Sequence, residues 1–375
     1  MAMTKILVVD DSELMRDLLS RHISQAFGYD ILTAEDGEQA INMAARNSPD
    51  LILMDLLMPR MDGITAIRKL RSIAKNDDLP IIFLSAETDR RKWVEAFNAG
   101  ANDFISKPYQ RNELLARIGA HLKIAGLTRE MRQKNAQLER EHYLASVVQR
   151  QLLPQNLDFQ GFDVSSVYQA QEQIGGDFFD AWEDGGRVTF VMADISGHGA
   201  SSALLMAVCK GLLYSSSKTQ PSPAEAVERL NRLLYAMLDE GDLDMFVTMA
   251  YATVDRERNE LTLASAGHAP VYIIRSDGVE SLEATGPALG LLESFDWRVE
   301  KRPFSPGDTL FLLTDGLIEL RSIEGEFFGE ERLKALLRPN TPPKDLIGEI
   351  IEIALPFCKG IITDDLAMLA ARRTS

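Results

Sequence analysis

The chain has 375 residues, 45% of them hydrophobic and 26% charged, an ordinary globular composition with length for two or three domains of about 150 residues. Its formal net charge of -16 argues against nucleic acid as the main partner, because that binding rests on neutralising phosphates with Lys and Arg. No run approaches the ~20 apolar residues of a membrane helix, the N-terminus lacks the pattern of a signal peptide, the five histidines show no zinc spacing, and the unpaired Cys209 and Cys358 read as reduced buried thiols suited to a cytoplasm.

The first apolar run, ILVV, is followed at once by Asp10 and Asp11 and then by a helix-period segment, Glu13 to Phe27. DILTA leads into Gly37 to Arg46, LILMD into Gly63 to Ile73, IIFLS into Arg90 to Asn98, and DFIS into Arg111 to His121. Five such units in residues 1–124 predict an α/β fold with a doubly wound, five-stranded parallel sheet. Sheets of this kind bind ligands beyond the carboxyl ends of their strands, where this chain carries Asp10, Asp11, Asp55, Ser85 and Lys107. A buried strand that ends in a carboxylate is costly unless the acid meets water, a cation or a phosphoryl group. An aspartate here can attack a phosphoryl donor and hold an acyl phosphate. Asp10 and Asp11 can help hold Mg, which accepts one or two carboxylates together with phosphate oxygens and water. Lys107 can meet a phosphate oxygen as a point charge, and Ser85 can hydrogen-bond another.

The stretches VVDDS, MDLLMPRMDG, FLSAE and FISKPY resemble the receiver domain of bacterial response regulators over residues 4–124. A lone DD or KP would read as a solvated turn; the ordered set, each member behind its own apolar run, does not. The resemblance implies a flavodoxin-like receiver with Asp55 as phosphoacceptor. It implies that Asp11, Asp55 and the backbone carbonyl of Leu57 hold Mg, with Asp10 beside them. Ser85 would be the switch hydroxyl and Phe104 the switch aromatic, with Lys107 preceding Pro108 and its often cis bond.

From Arg111 to Leu153 there is no proline, and Pro154 ends the run. Ile124, Leu127, Met131, Leu138, Ala145, Val148 and Leu152 fall on a seven-residue repeat, interrupted by Lys134 and Glu141. A helix of about 40 residues, roughly 60 Å long, is predicted. The linker, residues 125–153, reads as a parallel coiled coil that makes a homodimer, against the plainer reading of an exposed helix lying on its own domains. Gly119 and Gly126 allow a bend.

Beyond the linker, residues 154–375 change pattern. FDVSSVYQA, GRVTFVMADI, MFVTMAYATV, ELTLASAG, PVYIIRS and DTLFLLTDG read as strands, several joined as hairpins through turns such as EDGG and DRERN. Helical segments span Ser201 to Tyr214 and Ala224 to Leu238, and others begin near Glu330 and Lys344. Mostly antiparallel strands with grouped helices predict an α+β layered sandwich, α-β-β-α. The chemistry lies in GGDFFD with Asp177, DISGHG with Asp194, TDG with Asp315, and TDDLAML with Asp364 and Asp365. Neighbouring glycines permit the tight turns that gather these acids. Gathered carboxylates raise one another's pKa, and two divalent cations remove that cost.

QRQLLP, GGDFFD, DISGHGASSALL, AGHAP, TDGLIE and DDLAMLA resemble, in order across roughly 145–372, the PPM-type metal-dependent serine/threonine phosphatases, most closely their sporulation and stress-sigma branch. The resemblance implies Asp177, Asp194, Asp315 and Asp364 as ligands of two Mn or Mg ions, helped by the carbonyl of Ile195. Asp365 takes a neighbouring position, and QRQLLP matches the regulatory helix of that branch. Ser196 stands where distant members have a histidine, so His198 is read as structural, and His268 as shaping a turn. GGDFFD also looks like the signature of diguanylate cyclases, but their upstream acidic motif is missing and DISGHG, TDG and DDLAML have no place in that fold.

The chain therefore reads as a cytoplasmic response regulator. A sensor histidine kinase would phosphorylate Asp55, and the output domain would dephosphorylate a protein substrate, an anti-sigma-factor antagonist by family resemblance. The alternative is a catalytically inactive phosphatase-fold binding module gated by the receiver. A DNA-binding transcription factor is disfavoured by the acidity and by the lack of a basic helix-turn-helix segment.

Overall fold

The computed structural model describes residues 3–73, 78–86, 90–154, 156–171, 174–197, 199–217, 221–240 and 244–375. It divides into two compact units, Met1–Leu138 and Glu139–Ser375.

The first unit alternates β1 (Lys5–Val9), α1 (Glu13–Phe27), β2 (Asp30–Ala34), α2 (Gly37–Asn47), β3 (Leu51–Asp55), α3 (Gly63–Arg71), β4 (Ile81–Ser85), α4 (Arg90–Asn98) and β5 (Asp103–Ser106). The strands are parallel in the order β2-β1-β3-β4-β5, the doubly wound sheet expected of the sequence. The central strands β1, β3 and β4 read as near-continuous apolar runs because both their faces are covered. Leu7 and Val9 of β1 point into one core with Ile52 and Phe83, while Ile6 and Val8 point into another with Leu19, Ile23 and Ile118. Local signals set the helix starts: the side chains of Ser12, Asp36 and Asp62 accept from the backbone N–H groups of Met15, Gln39 and Thr65. Gly28, at φ 67°, closes α1.

The proline-free stretch forms one helix, α5 (Arg111–Leu152), of 42 residues. Gly119 and Gly126 lie within it without a left-handed φ. The apolar repeat is open to solvent: Ile124, Leu127, Met131, Leu138 and Val148 are each more than half exposed.

The second unit contains β6 (Phe162–Gln169), β7 (Phe178–Asp184), β8 (Arg187–Ile195), α6 (Ala200–Ser217), α7 (Pro223–Glu240), β9 (Val247–Asp255), β10 (Glu260–Ala266), β11 (Val271–Arg275) and β12 (Gly278–Leu282). It continues with β13 (Glu300–Pro303), β14 (Thr309–Leu313), α8 (Asp315–Ile318), α9 (Gly329–Leu336), α10 (Pro343–Phe357) and β15 (Leu366–Arg373). Two antiparallel sheets, β13-β10-β9-β8-β7 and β12-β11-β14-β15-β6, pack face to face. Strand periodicity places alternate residues in different layers. Val188, Phe190 and Met192 of β8 enter the core between the sheets, whereas Val191, Ala193 and Ile195 face α6 and α7. On the opposite sheet Leu310 and Leu312 face inward, and Phe311 and Leu313 face α8–α10. This is the α-β-β-α sandwich expected. β7, β12, β13 and β15 are strands the sequence reading did not separate, and Asp315 begins the short helix α8 instead of ending a strand.

Candidate functional site

In the first unit, the carboxyl ends of β1, β3 and β5 converge. Asp10, Asp11 and Asp55 each offer a carboxylate oxygen within 4.8 Å of the others. Lys107 spans two of them, with Nζ 2.8 Å from Asp10 Oδ2 and 2.8 Å from Asp55 Oδ2. Burial lifts the Asp55 carboxyl above its usual range, aided by the charge of Asp10 and opposed by Lys107. Burial alone would depress Lys107, but its bonds to Asp10 and Asp55 outweigh that and hold its ammonium above the usual value. The chain passes Asp55 closely enough that a Cβ on Gly63 would lie 2.2 Å from the Asp55 carbonyl oxygen, so glycine is required there. Ser85, 3% exposed, ends β4, and the Lys107–Pro108 bond is cis. Phe104 is half-buried, stacked on Phe83 and packed against Trp93 with ring centres 4.4 Å apart. The Leu57 side chain is exposed, and its backbone N–H bonds to Asp55. Three gathered carboxylates suit a hard divalent cation with oxygen ligands.

The second site is built from both sheets. Asp177 lies in the turn entering β7, Asp194 near the end of β8, Asp315 at the start of α8, and Asp364 and Asp365 before β15. Asp365 holds the turn: Oδ2 accepts from Gly176 N–H at 2.6 Å and from Asp177 N–H at 3.4 Å, and Oδ1 from Gln171 N–H at 2.8 Å. From α5, the side-chain amide of Gln149 clamps the same turn, with Nε2 2.5 Å from the Gly175 carbonyl and Oε1 3.2 Å from its N–H. A Cβ on Gly175 would lie 2.0 Å from Asp365 Oδ2, one on Gly316 1.9 Å from the Asp365 carbonyl oxygen, and one on Gly176 2.8 Å from the Ile195 carbonyl oxygen. The Ile195 carbonyl thus faces the acidic turn.

The electrostatics are strained by design of the sequence. Burial, then the charge of Asp194, holds the Asp177 carboxyl well above the carboxylate range, while Thr314 pulls the other way. Burial likewise raises Asp194, with Asp364, Asp365 and Glu319 adding to it and a hydrogen bond with Asp177 opposing it. Asp315 is pushed up to about 7, by burial first and then by Asp194, Asp364 and Glu319. Asp177 Oδ2 is buried with no hydrogen-bond partner. A buried, unpartnered carboxylate oxygen among repelling acids fits a bound cation. Among the described residues the grouping of three acids within 4.8 Å occurs at the first site, and the second set is spread more widely.

Sequence reasoning passed over Gln149 as an individual residue, although it lies in QRQLLP, and over Glu319 in TDGLIE. It also missed Tyr168, whose buried hydroxyl lacks a partner and feels the charges of Asp365 and Asp177. His268 is 5% exposed, bonds through Nδ1 to Thr248 Oγ1 at 2.8 Å, and is pushed down to about 4 by burial, so it is neutral near pH 7. His198 lies outside the described residues. Cys209 and Cys358 are free and buried, and burial pushes the Cys209 thiol up to about 12. Among the described residues no helix is long and apolar enough to cross a membrane.

Known proteins share both halves. The response regulator receiver domain model matches residues 6–119, and the Stage II sporulation protein E (SpoIIE) model matches 184–374, just over half of the chain. Protein IcfG of Synechocystis sp. is 29% identical over 301 residues, 72% of this chain and 45% of that protein. Response regulator MprA of Mycobacterium sp. is 43% identical over 119 residues, 32% of this chain and 50% of that one. The chain therefore spans about half the length of the curated relatives it matches. The SiaA-PP2C domain of Pseudomonas aeruginosa superposes with a TM-score of 0.58 at 22% identity, over 64% of this chain and 98% of that domain, a likeness of fold. A receiver with its acids at the strand ends, followed by a PP2C-type sandwich with acids from both sheets, identifies the chain as a member of the SpoIIE family that carries an N-terminal response-regulator receiver domain.

Proposed function

We propose that a sensor histidine kinase phosphorylates Asp55, and that this controls a metal-dependent phosphatase acting on a phosphoserine or phosphothreonine of another protein, an anti-sigma-factor antagonist. The functional division is receiver 1–124, linker 125–153 and phosphatase 154–375, in a cytoplasmic protein. In the receiver, Asp55 is the nucleophile. Asp11, Asp55 and the Leu57 carbonyl hold Mg with Asp10 beside them, and Ser85 and Lys107 bind phosphoryl oxygens while Phe104 reports the state. In the phosphatase, Asp177, Asp194, Asp315, Asp364 and the Ile195 carbonyl hold two Mn or Mg ions. When bound, such ions supply Lewis acidity and a water activated near neutral pH for in-line attack at phosphorus. The chain's own residues prepare that site. Asp365 and Gln149 fix the turn that carries Asp177. Asp364 is exposed, leaving its side of the acid set open to the phosphate of a protein.

The observation that carries the reading is the buried, partnerless Asp177 Oδ2 beside Asp194. The exposed apolar stripe of α5, from Ile124 to Val148, supports a coiled-coil homodimer. The rival, an inactive docking module, draws on the wider spacing of the second acid set. Hydrolysis of a phosphoserine protein with Mn or Mg by the parent but not by Asp194→Asn supports catalysis. Equal lack of turnover in both, with and without an acyl-phosphate mimic on the receiver, favours the rival.

A further inference from the structure

A groove of about 630 Å³ opens beside the end of β8, walled by Tyr235, Met245, Phe246 and Leu291 and rimmed by Asp239 and Asp244. It adjoins the strand ends that carry the acidic centre, since Phe246 lies two residues before Thr248, the β9 partner of Asp194. Ser196, two residues beyond Asp194, donates its N–H to the Phe246 carbonyl at 3.0 Å, and its Oγ accepts from Phe246 N–H at 2.8 Å. The groove is also built, not incidental. Fully buried Asn231 of α7 accepts from Gly290 N–H at 2.9 Å and donates to the Leu292 carbonyl at 2.9 Å, fixing the loop that forms one wall. Gly290 sits at φ 86°, a backbone conformation strained for any other residue, and the loop packs onto the Leu238 side chain of α7 there. Leu291, 52% exposed, and Phe246, 37% exposed, stay uncovered on either side.

A groove that exposes two apolar side chains, Phe246 and Leu291, beside two solvent-facing carboxylates, with no Lys or Arg among its described lining residues, is complementary to a segment that alternates cations and apolar side chains. We infer that this groove docks a basic, apolar segment of the phosphoprotein substrate, next in its chain to the phosphorylated residue; the inference rests on the phosphatase reading above. Phe246 and Leu291 would supply apolar contact and the acidic rim would set which protein is accepted, since the centre itself recognises only a phosphate ester.

The test is fluorescence anisotropy on the full chain in EDTA, so that no turnover intervenes. The probes are a labelled phosphoserine dodecapeptide with Leu-Lys pairs on both sides and its counterpart with Leu-Glu pairs. The parent should bind the Lys peptide about tenfold more tightly at low salt, the preference shrinking as salt screens it. Asp239→Lys/Asp244→Lys should reverse the order, and Leu291→Ser should weaken both peptides about fivefold. Equal binding of the two peptides by the parent, or a preference that survives the double reversal, overturns the inference. So does a change of sedimentation in the reversed variant without a change of preference, which would make the groove a contact between copies. Mn-dependent hydrolysis of p-nitrophenyl phosphate separates the two readings. Peptide preference without ester hydrolysis sinks catalysis, and ester hydrolysis without peptide preference sinks the groove.

Discussion

Replacing Gln149 by alanine should loosen the acidic turn from the helix that holds it. The side chain is 5% exposed and satisfies both the N–H and the carbonyl of buried Gly175. Truncation leaves two buried backbone groups unpaired, at about 1–3 kcal/mol each before relaxation and water entry. A net loss of about 2–4 kcal/mol lowers the melting temperature of a unit this size by roughly 5–15 °C. Gln149→Glu keeps the acceptor for Gly175 N–H but sets a carboxylate oxygen against the Gly175 carbonyl, so it should be as damaging near pH 7 and recover when acid protonates it. Thermal melting of the full chain gives the magnitude, and hydrogen exchange at the Gly175 amide localises it. A melting temperature within 2 °C of the parent, with Gly175 as protected as before, would refute the clamp, 2 °C being about the least shift expected for even 1 kcal/mol.

Gly316→Ala places a methyl against the Asp365 carbonyl, which is backbone and cannot swing away, and should cost about 3 kcal/mol in urea unfolding. Asp177→Asn removes an ionisable carboxyl that burial and Asp194 hold in an unfavourable setting, so it should raise the melting temperature in EDTA, and it should abolish the rise with Mn that the proposed metal site predicts for the parent. His268 has a folded pKa of about 4 against a usual 6.5, so the unfolded chain takes up the proton first as pH falls. Its stabilising contribution is complete above about pH 6.5 and is lost on the way down to pH 4, by about 3 kcal/mol in all, a slope that His268→Gln should remove from urea midpoints measured across that range.

The receiver half was legible because the central runs β1, β3 and β4 are short, buried almost throughout and stopped by the residue that matters, as at Val9 before Asp10, at Asp55 and at Ser85. The sandwich was legible in class but not in count. The β15 sequence LAMLAARR merges with the acidic motif before it, and β7 was read as part of GGDFFD. β13, EKRP, has too little apolar character to announce a strand and exists by pairing with β10. The order of the acids along the chain pointed to the second site, but its support did not show. Asp365 as the anchor of the Gly176 turn and Gln149 as its clamp are contacts between residues 189 and 26 positions apart, which no local pattern encodes. Glu319 contributes charge from one turn past Asp315, where helical geometry brings it back toward the acids.

The proposed control of the second acid site by Asp55 has a direct test. Turnover of a phosphoserine protein in Mn should be measured with and without beryllofluoride, for the parent and for Asp55→Asn. The mimic should change the parent's rate and leave the rate of Asp55→Asn unmoved. The same rate in the parent with and without the mimic, in both Mn and Mg, would contradict it.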